Sequence, residues 1–248
     1  MAPVLQRPDR LVRRVRHEIL RRDVSVVRVE PLTPHVRSIT FHGDTLADFV
    51  SDSFDDHVKF LLDVGRDEPV RRDYTPRRFD RAARELTIEF VLHGDGPVAG
   101  WAARARPGDR AVVAGPRGSF VVPLDYDWHL LVGDETALPA IARRLDELPP
   151  STTVRVFAHV ADPVDRRTLT SAAALDVTWV DSADALVDAV AAAALPAGDG
   201  FVWCAGEAAT TKRVRTVLVE GHGHDRRAIR ASAYWKRGAA GHHEDLAD

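Results

Sequence analysis

WHLLVGDETALPAIARRLDELPP, residues 128–150, divides this chain. A short apolar run ends in Gly133-Asp134. The following residues space their apolar side chains as a helix does, and Pro149-Pro150 stop it. The same alternation continues downstream. TTVRVFAHV (152–160) reads as a strand, and LDVTWV (175–180) as a second, followed by the helix ADALVDAVAAAAL (183–195). GFVWCAG (200–206) is a strand ahead of the helix EAATTKRVRTVLVEG (207–221), and IRASAYW (229–235) is a last strand. Strands alternating with helices at this spacing predict βαβ units on a parallel sheet.

Before Pro123 the period is different. VSVVRVEPL (24–32), HVRSITFHG (35–43), HVKFLLDVG (57–65), ELTIEFVLHG (85–94) and DRAVVAGP (109–116) are short β-branched runs separated by Pro, Gly and Asp. They predict a small antiparallel barrel or sandwich. One helix interrupts it, over residues 99–105, and Pro107-Gly108 ends that helix. The expected fold class is therefore an all-β antiparallel barrel domain, residues 23–123, followed by an α/β parallel-sheet domain, residues 124–248. Ahead of both lies a basic arm, residues 1–22. Its stretch DRLVRRVRHEILRR (9–22) reads as a short amphipathic helix or an extended arm packed on the body. Its apolar face is short for a polyanion- or membrane-binding arm.

Composition excludes several classes. With 34 Lys+Arg against 37 Asp+Glu, bulk charge does not favour nucleic acid. No apolar run has the length to cross a bilayer, so stable membrane insertion is not expected. Cys204 is the lone cysteine, so no internal disulfide forms. That usage and the lack of an apolar signal core fit a cytoplasmic protein. A monomer is expected. Lysines occur only at 59, 212 and 236, among many arginines. Lys212 lies in a helical segment and reads as a surface group. Lys59 (HVKFLL) and Lys236 (YWKRG) stand beside apolar and aromatic residues, where a compact ammonium differs from a planar guanidinium.

Two stretches carry ligand chemistry. In RRDYTPRRFD (71–80), Arg72 and Tyr74 share one face of an extended strand, and Pro76 keeps Thr75 extended. A guanidinium matches a phosphate through paired donors, so the stretch can offer a charge clamp, a flat ring and a hydroxyl to one nucleotide. A charged edge strand is the alternative. In HGDGPVAGWAAR (93–104), small residues precede a helix whose first N–H groups can hold phosphate. Gly-Pro loop chemistry is the alternative there. Together the two stretches describe a clamp for one pyrophosphate.

RRDYTPR (71–77) resembles the Arg-x-Tyr-Thr-x-Arg flavin motif of siderophore-interacting proteins in the ferredoxin-reductase superfamily. FVLHGDGPVAGWAARARPGD (90–109), GPRGSF (115–120), GDETALPAIARRL (133–145), WCAGE (203–207) and SAYWKRG (232–238) are similar to that family in the same order. The resemblance runs from about residue 23 to the end. It implies a ferredoxin-reductase-like pair of domains, an FAD-binding barrel and an NAD(P)H-binding-like α/β half. In that resemblance Arg72 holds the FAD pyrophosphate, Tyr74 stacks on the isoalloxazine, Thr75 bonds its edge and Arg77 reaches the ribityl or phosphate side. Gly96, Val98, Ala99 and Gly100 supply backbone donors. His93 and Trp101 line the flavin or adenine, and Trp235 covers the flavin. Arg71 and Arg78 match nothing and default to solvent.

The resemblance also places a nicotinamide nucleotide at the strand ends, by Gly133, Asp134, Thr136, Ala137 and Glu207. No GxGxxG is present, Asp134 and Glu135 would repel phosphates, and Thr136 is a candidate helix cap. A ferredoxin therefore stays open as an alternative donor. Lys59, Lys236 and Arg237, with Arg117 as a weaker member, would hold an anionic iron chelate. The implied activity is FAD-dependent reduction of a ferric siderophore to release Fe(II), with electrons from NAD(P)H or ferredoxin. A flavin reductase of an organic acceptor such as a quinone, and a non-catalytic iron-chelate carrier or flavin redox sensor, are the alternatives. The flavin carries the chemistry, so no catalytic side chain is expected. His222-x-His224 and His242-His243 lack the carboxylate or cysteine framework of a metal site, and none is expected. Asp55-Asp56-His57 reads as a loop before a strand.

Overall fold

The computed structural model describes residues 12–63, 68–92, 94, 96–239 and 244–246. The first half is a curled antiparallel sheet. It contains β2 (Arg21–Thr33), β3 (Val36–His42), β4 (Val58–Leu62), β5 (Val70–Tyr74), β6 (Arg78–Asp80), β7 (Glu85–Val91) and β8 (Arg110–Ala114), in the order β5-β4-β8-β2-β3-β7-β6. The two edge strands, β5 and β6, are consecutive in the chain. Only Thr75-Pro76-Arg77 separates them, so the sheet must curl until its edges approach. The Arg77 amide donates to the Thr87 carbonyl (2.9 Å) and ties that link to β7. Inside the curl, Phe41, Phe60 and Phe90 meet ring to ring and Ile39, Leu86, Ile88 and Val113 fill the gaps. Period-2 alternation on strands of this composition dictates such a core.

The arm is extended where it is described. β1 (Arg13–Arg16) pairs antiparallel with β9 (Gly118–Val121), and β2 begins at Arg21, ahead of the expected domain boundary. Four residues are too few for a stable isolated helical turn, so Arg13–Arg16 gain more from that edge pairing. The interrupting helix, α1, spans Pro97–Arg104 rather than 99–105. Pro97 takes the first helical position, where its fixed φ and missing N–H cost nothing.

The second half is an α/β layer. β10 (Trp128–Gly133), β11 (Thr153–His159), β12 (Ala174–Val180), β13 (Gly200–Glu207) and β14 (Ile229–Trp235) run parallel, in the order β12-β11-β10-β13-β14, and a short β15 (Glu244–Asp245) adds antiparallel to β14. Helices α2 (Leu138–Glu147), α3 (Ala183–Ala192) and α4 (Ala208–Thr216) cover the sheet. α4 ends in a wider turn over Val217–Gly221, short of a single regular helix. Strand order reverses between β10 and β13, and an open α/β sheet binds ligands outside the strand ends at such a reversal. Cys204, on β13, is buried in the core, and burial pushes its thiol up to about 12.

Polar contacts lock the halves together. Arg143 of α2 donates to the Ser51 carbonyl (2.8 Å) and hydroxyl (2.8 Å) and to the Pro76 carbonyl (2.9 Å). Asp165 accepts from the Thr33 hydroxyl (2.5 Å) and the His35 amide (3.2 Å), and its carboxylate meets the His35 ring nitrogen at 2.9 Å. Burial alone would raise the Asp165 carboxyl, but the bonds from Thr33 and His35 outweigh it and bring it below its ordinary value. A carboxyl whose folded pKa is depressed contributes stability that is complete above its unfolded pKa and lost as pH falls through the folded one. Wild-type melting temperature should therefore fall more steeply below the usual carboxylate range than that of Asp165→Asn. Parallel melting curves for the two proteins across acid pH would contradict this.

The Asp55-Asp56 stretch is part of the same junction. Asp56 is buried and accepts from the Ser51 and Ser119 hydroxyls (2.9 and 2.7 Å) and the Ser53 amide (3.1 Å). Burial pushes its carboxyl up against those bonds.

Candidate functional site

The link between β5 and β6 opens onto a cavity of about 390 Å³ between the two halves. Arg72, Tyr74, Thr75, Gly96, Val98 and Ala99 line it from the barrel side, with Lys59 and Asp73. Thr136, Pro139, Tyr234 and Trp235 line it from the α/β side. Register explains the first group. On the antiparallel β4–β5 ladder Phe60 stands opposite Arg72 and Val58 opposite Tyr74, so those two side chains leave on the core-facing side. Tyr74 packs on Phe90 (centroids 4.5 Å) and edge-on to Phe60 (6.0 Å), which fixes its ring plane. Burial pushes its phenol far above its ordinary value, against the opposing charge of Arg72, so it stays neutral. Tyr234 is partly buried, and desolvation raises its phenol above its ordinary value.

Opposite Arg72 lies the start of α1. Gly96 is its N-cap and has no side chain to bond the helix, so among the described residues nothing caps the Val98 and Ala99 amides, which precede the first helical bond. A Cβ placed at Gly96 or Gly94 would meet nothing within 4 Å, so the loop faces open space. Guanidinium, uncapped helix start, fixed aromatic ring and the buried Thr75 hydroxyl form a donor set that fits an anionic dinucleotide with a flat ring.

Other expected members go elsewhere. The Gly100 amide donates to the Gly96 carbonyl (2.9 Å) and is spent within α1. Trp101 is partly buried against the barrel core: it lies parallel to Phe41 (centroids 6.2 Å) and against Phe60 (5.0 Å). α1 turns that face into the barrel, where an indole gains more by burial than at a ligand edge. Arg77 is held by two carboxylates, Glu89 (3.4 Å) and Asp146 (2.8 Å), and so bridges β7 to α2 in place of a ribityl or phosphate. Glu89 also takes Arg167 at 2.7 Å. Arg71, expected in solvent, is exposed yet lines the cavity; Arg78 is exposed on β6. His93 lies outside the described residues, as do His242 and His243. His222 and His224 bond the Val190 and Ala228 carbonyls, and no metal-holding cluster occurs among the described residues.

A second cavity, about 490 Å³, lies at the strand reversal. Gly133, Asp134, Glu135, Glu207 and Arg237 are among its walls, and Trp235 borders both cavities. Gly133 must be glycine: a Cβ there would strike Ala137 and the Ala205 carbonyl. Asp134 is not a bare charge. It accepts from the Thr136 amide (3.0 Å) and hydroxyl (2.5 Å), the Glu207 amide (2.8 Å) and the Trp235 indole (2.8 Å). Four donors spread its charge and pin the ends of β10, β13 and β14 together, which blunts the expected repulsion of phosphate. Thr136 therefore serves Asp134 rather than capping α2, and it faces the first cavity. Ala137 is fully buried, with its amide on the Asp134 carbonyl (3.0 Å), and lines neither cavity. Glu207 caps α4 by accepting from the Thr210 amide (3.0 Å). Partial burial would raise its carboxyl, yet bonds from Thr210, Ala209 and Arg237 bring it lower.

The basic trio is also dispersed. Lys59 lines the first cavity and Arg237 the second, while exposed Lys236 and Arg117 line neither. Glu89, Tyr234 and Asp73 were not expected at the site. Tyr234 and Asp73 sit inside the motifs already quoted. Glu89, an acid on an apolar strand, carried its own signal, because such an acid needs buried partners.

A curled antiparallel sheet holding a dinucleotide-shaped donor set, closed by a parallel sheet with its own cleft at the strand reversal, defines the ferredoxin-reductase class of two-part fold. Within it, the chain belongs to the siderophore-interacting protein family. The model of the siderophore-interacting FAD-binding domain matches residues 25–66 and 63–120, and that of the siderophore-interacting protein matches 126–238. The chain is similar to an NADPH-dependent ferric-chelate reductase of Escherichia coli, at 35% identity over 91% of this chain and 97% of that protein. It is similar to the ferric vibriobactin reductase ViuB of Vibrio cholerae, at 30% over 86% and 88%. A solved siderophore utilization protein from T. fusca superposes with a TM-score of 0.86, at 36% identity over 93% of this chain and 98% of that one. No helix among the described residues is long and apolar enough to cross a membrane.

Proposed function

We propose that this protein binds FAD in the first cavity and reduces ferric siderophores with electrons from NAD(P)H, releasing Fe(II). The observation that carries this reading is the convergence of Arg72, Tyr74, Thr75 and the uncapped start of α1 on one volume that Thr136, Pro139 and Trp235 close from the other half. The relatives named as ferric reductases support it. Arg72 and the Val98 and Ala99 amides hold the pyrophosphate, and neutral Tyr74 offers a ring face with Thr75 at its edge. Trp235, fixed by Asp134, stands between the two cavities, where a nicotinamide and a flavin would have to meet. Bound flavin accepts an electron pair from nicotinamide and passes on single electrons. Fe(III), a hard ion, grips anionic oxygen donors far more tightly than Fe(II), so one electron loosens the chelate. The ferric chelate is substrate, and the chain needs no metal ligand of its own. The reading takes the protein as a cytoplasmic monomer.

The purified protein, loaded with FAD, is expected to be yellow, to bleach on NADPH, and to yield Fe(II) to a ferrous-specific dye from a ferric siderophore. Reduced ferredoxin in place of NADPH tests the donor. A flavin-loaded protein that forms no Fe(II) from any ferric chelate with either donor overturns the reading.

A further inference from the structure

Lys59 is not a free cation. On the β4–β5 ladder it stands directly opposite Asp73, and its Nζ lies 2.6 Å from one carboxylate oxygen and 2.7 Å from the other. Both residues line the first cavity. The pair is not a surface accident: the Asp73 side chain is 14% exposed and that of Lys59 49%. Antiparallel register alone places them there, because residues directly opposed on one face lie within reach of each other. Strand alternation puts this pair on the face opposite Arg72 and Tyr74, away from the pyrophosphate clamp. The remaining acid on the wall, Glu89, is engaged by Arg77 and Arg167 and offers no charge to balance Lys59.

We infer that Asp73 is a specificity-determining residue that cancels much of the positive charge of Lys59 and tunes the site to ferric chelates of low net charge, disfavouring strongly anionic ones. This rests on the reading that the cavity takes a ferric chelate. The consequence follows from electrostatics. An anion approaching Lys59 also approaches Asp73, and at these separations the two potentials nearly cancel. Replacing Asp73 by Asn frees the ammonium, and each added negative charge on the chelate should then gain about threefold in affinity. The same substitution keeps the side chain's size and one acceptor for Lys59, so the strand pairing is retained.

The test uses ferric aminocarboxylates with like donors and graded charge: the nitrilotriacetate complex (neutral), the EDTA complex (singly negative) and the DTPA complex (doubly negative). For each, the ratio of kcat/KM in Asp73→Asn to that in the wild type cancels the chelate's own redox potential. The ratio is expected to climb about threefold per negative charge, to flatten in high salt, and to return toward unity for Asp73→Glu. Equilibrium binding of the matching Ga(III) chelates, which cannot be reduced, to the FAD-loaded proteins reads the same selectivity without turnover. A flat ratio across the charge series, or no binding of any Ga(III) chelate by either protein, overturns the inference. A rising Ga(III) ratio with no Fe(II) formed instead sinks the reductase reading while leaving the charge selectivity standing.

Discussion

Arg72→Glu is expected to purify colourless, with FAD affinity reduced by more than about a hundredfold. Charge-assisted bonds to a phosphate are worth about 1.5–3 kcal/mol each, and reversal adds repulsion to their loss. Arg72 faces the barrel interior beside Tyr74, opposite Phe60, with one Nη held at 2.8 Å by the Arg71 carbonyl. No other described cation shares the Arg72 and Tyr74 face of β5. Arg71 provides the control. It also borders the cavity, but strand alternation sends it to the opposite face, and its one contact to Arg72 uses the backbone. Arg71→Glu should keep most of its flavin, with a loss below about tenfold from its proximity alone. Flavin absorbance after dialysis, and titration of the apoprotein by fluorescence quenching, read both variants. Equal losses in the two would remove Arg72 from the clamp.

That contrast shows what local sequence can and cannot say. The change from period 2 to helix-and-strand alternation after Pro123 needs only neighbouring residues, and the two halves fold accordingly. Short edge strands lack such a signal. β1, β9 and β15 exist only because a distant partner offers a free edge, and nothing within four residues announces it. Side-chain destinations divide in the same way. Arg72 and Tyr74 are set by one strand's alternation, Thr75 by the link that follows it, and Gly96, Val98 and Ala99 by one helix start, so reading neighbours placed them in one cavity. Trp101 and Arg77 belong to the same motifs, but Phe41 and Phe60 claim the first and Glu89 and Asp146 the second. Those partners are between 12 and 69 residues away. The pairing of Lys59 with Asp73 was out of reach for the same reason: it depends on the β4–β5 register, which no single strand encodes.

The junction between the halves should be most fragile at Asp55. It is buried and accepts from the Ser53 hydroxyl (2.8 Å), the Trp203 indole (3.3 Å) and the Arg230 Nε (3.0 Å), so one carboxylate joins the barrel loop to β13 and β14. Arg230 is itself mostly covered, with Phe120 beneath its guanidinium at 4.5 Å, and its other partner, Asp245, is half exposed. Asp55→Ala leaves that guanidinium with only the half-exposed Asp245 and the buried Trp203 N–H without its acceptor. Removing one member of a buried ion pair costs about 3–5 kcal/mol, so a melting temperature lower by roughly 10 °C is expected for a chain of this size. Because the junction also holds together the two halves that wall the first cavity, the FAD retention expected of the proposed site should fall with it. A general loss of packing would look the same in that single variant. The double variant Asp55→Ala/Arg230→Met distinguishes the two: with no half-paired guanidinium, it should recover at least half of the lost stability, since a buried pair replaced by apolar groups is often near neutral. Additive losses in the double variant would instead assign the cost to the cavity left by the carboxylate, not to an unpaired charge.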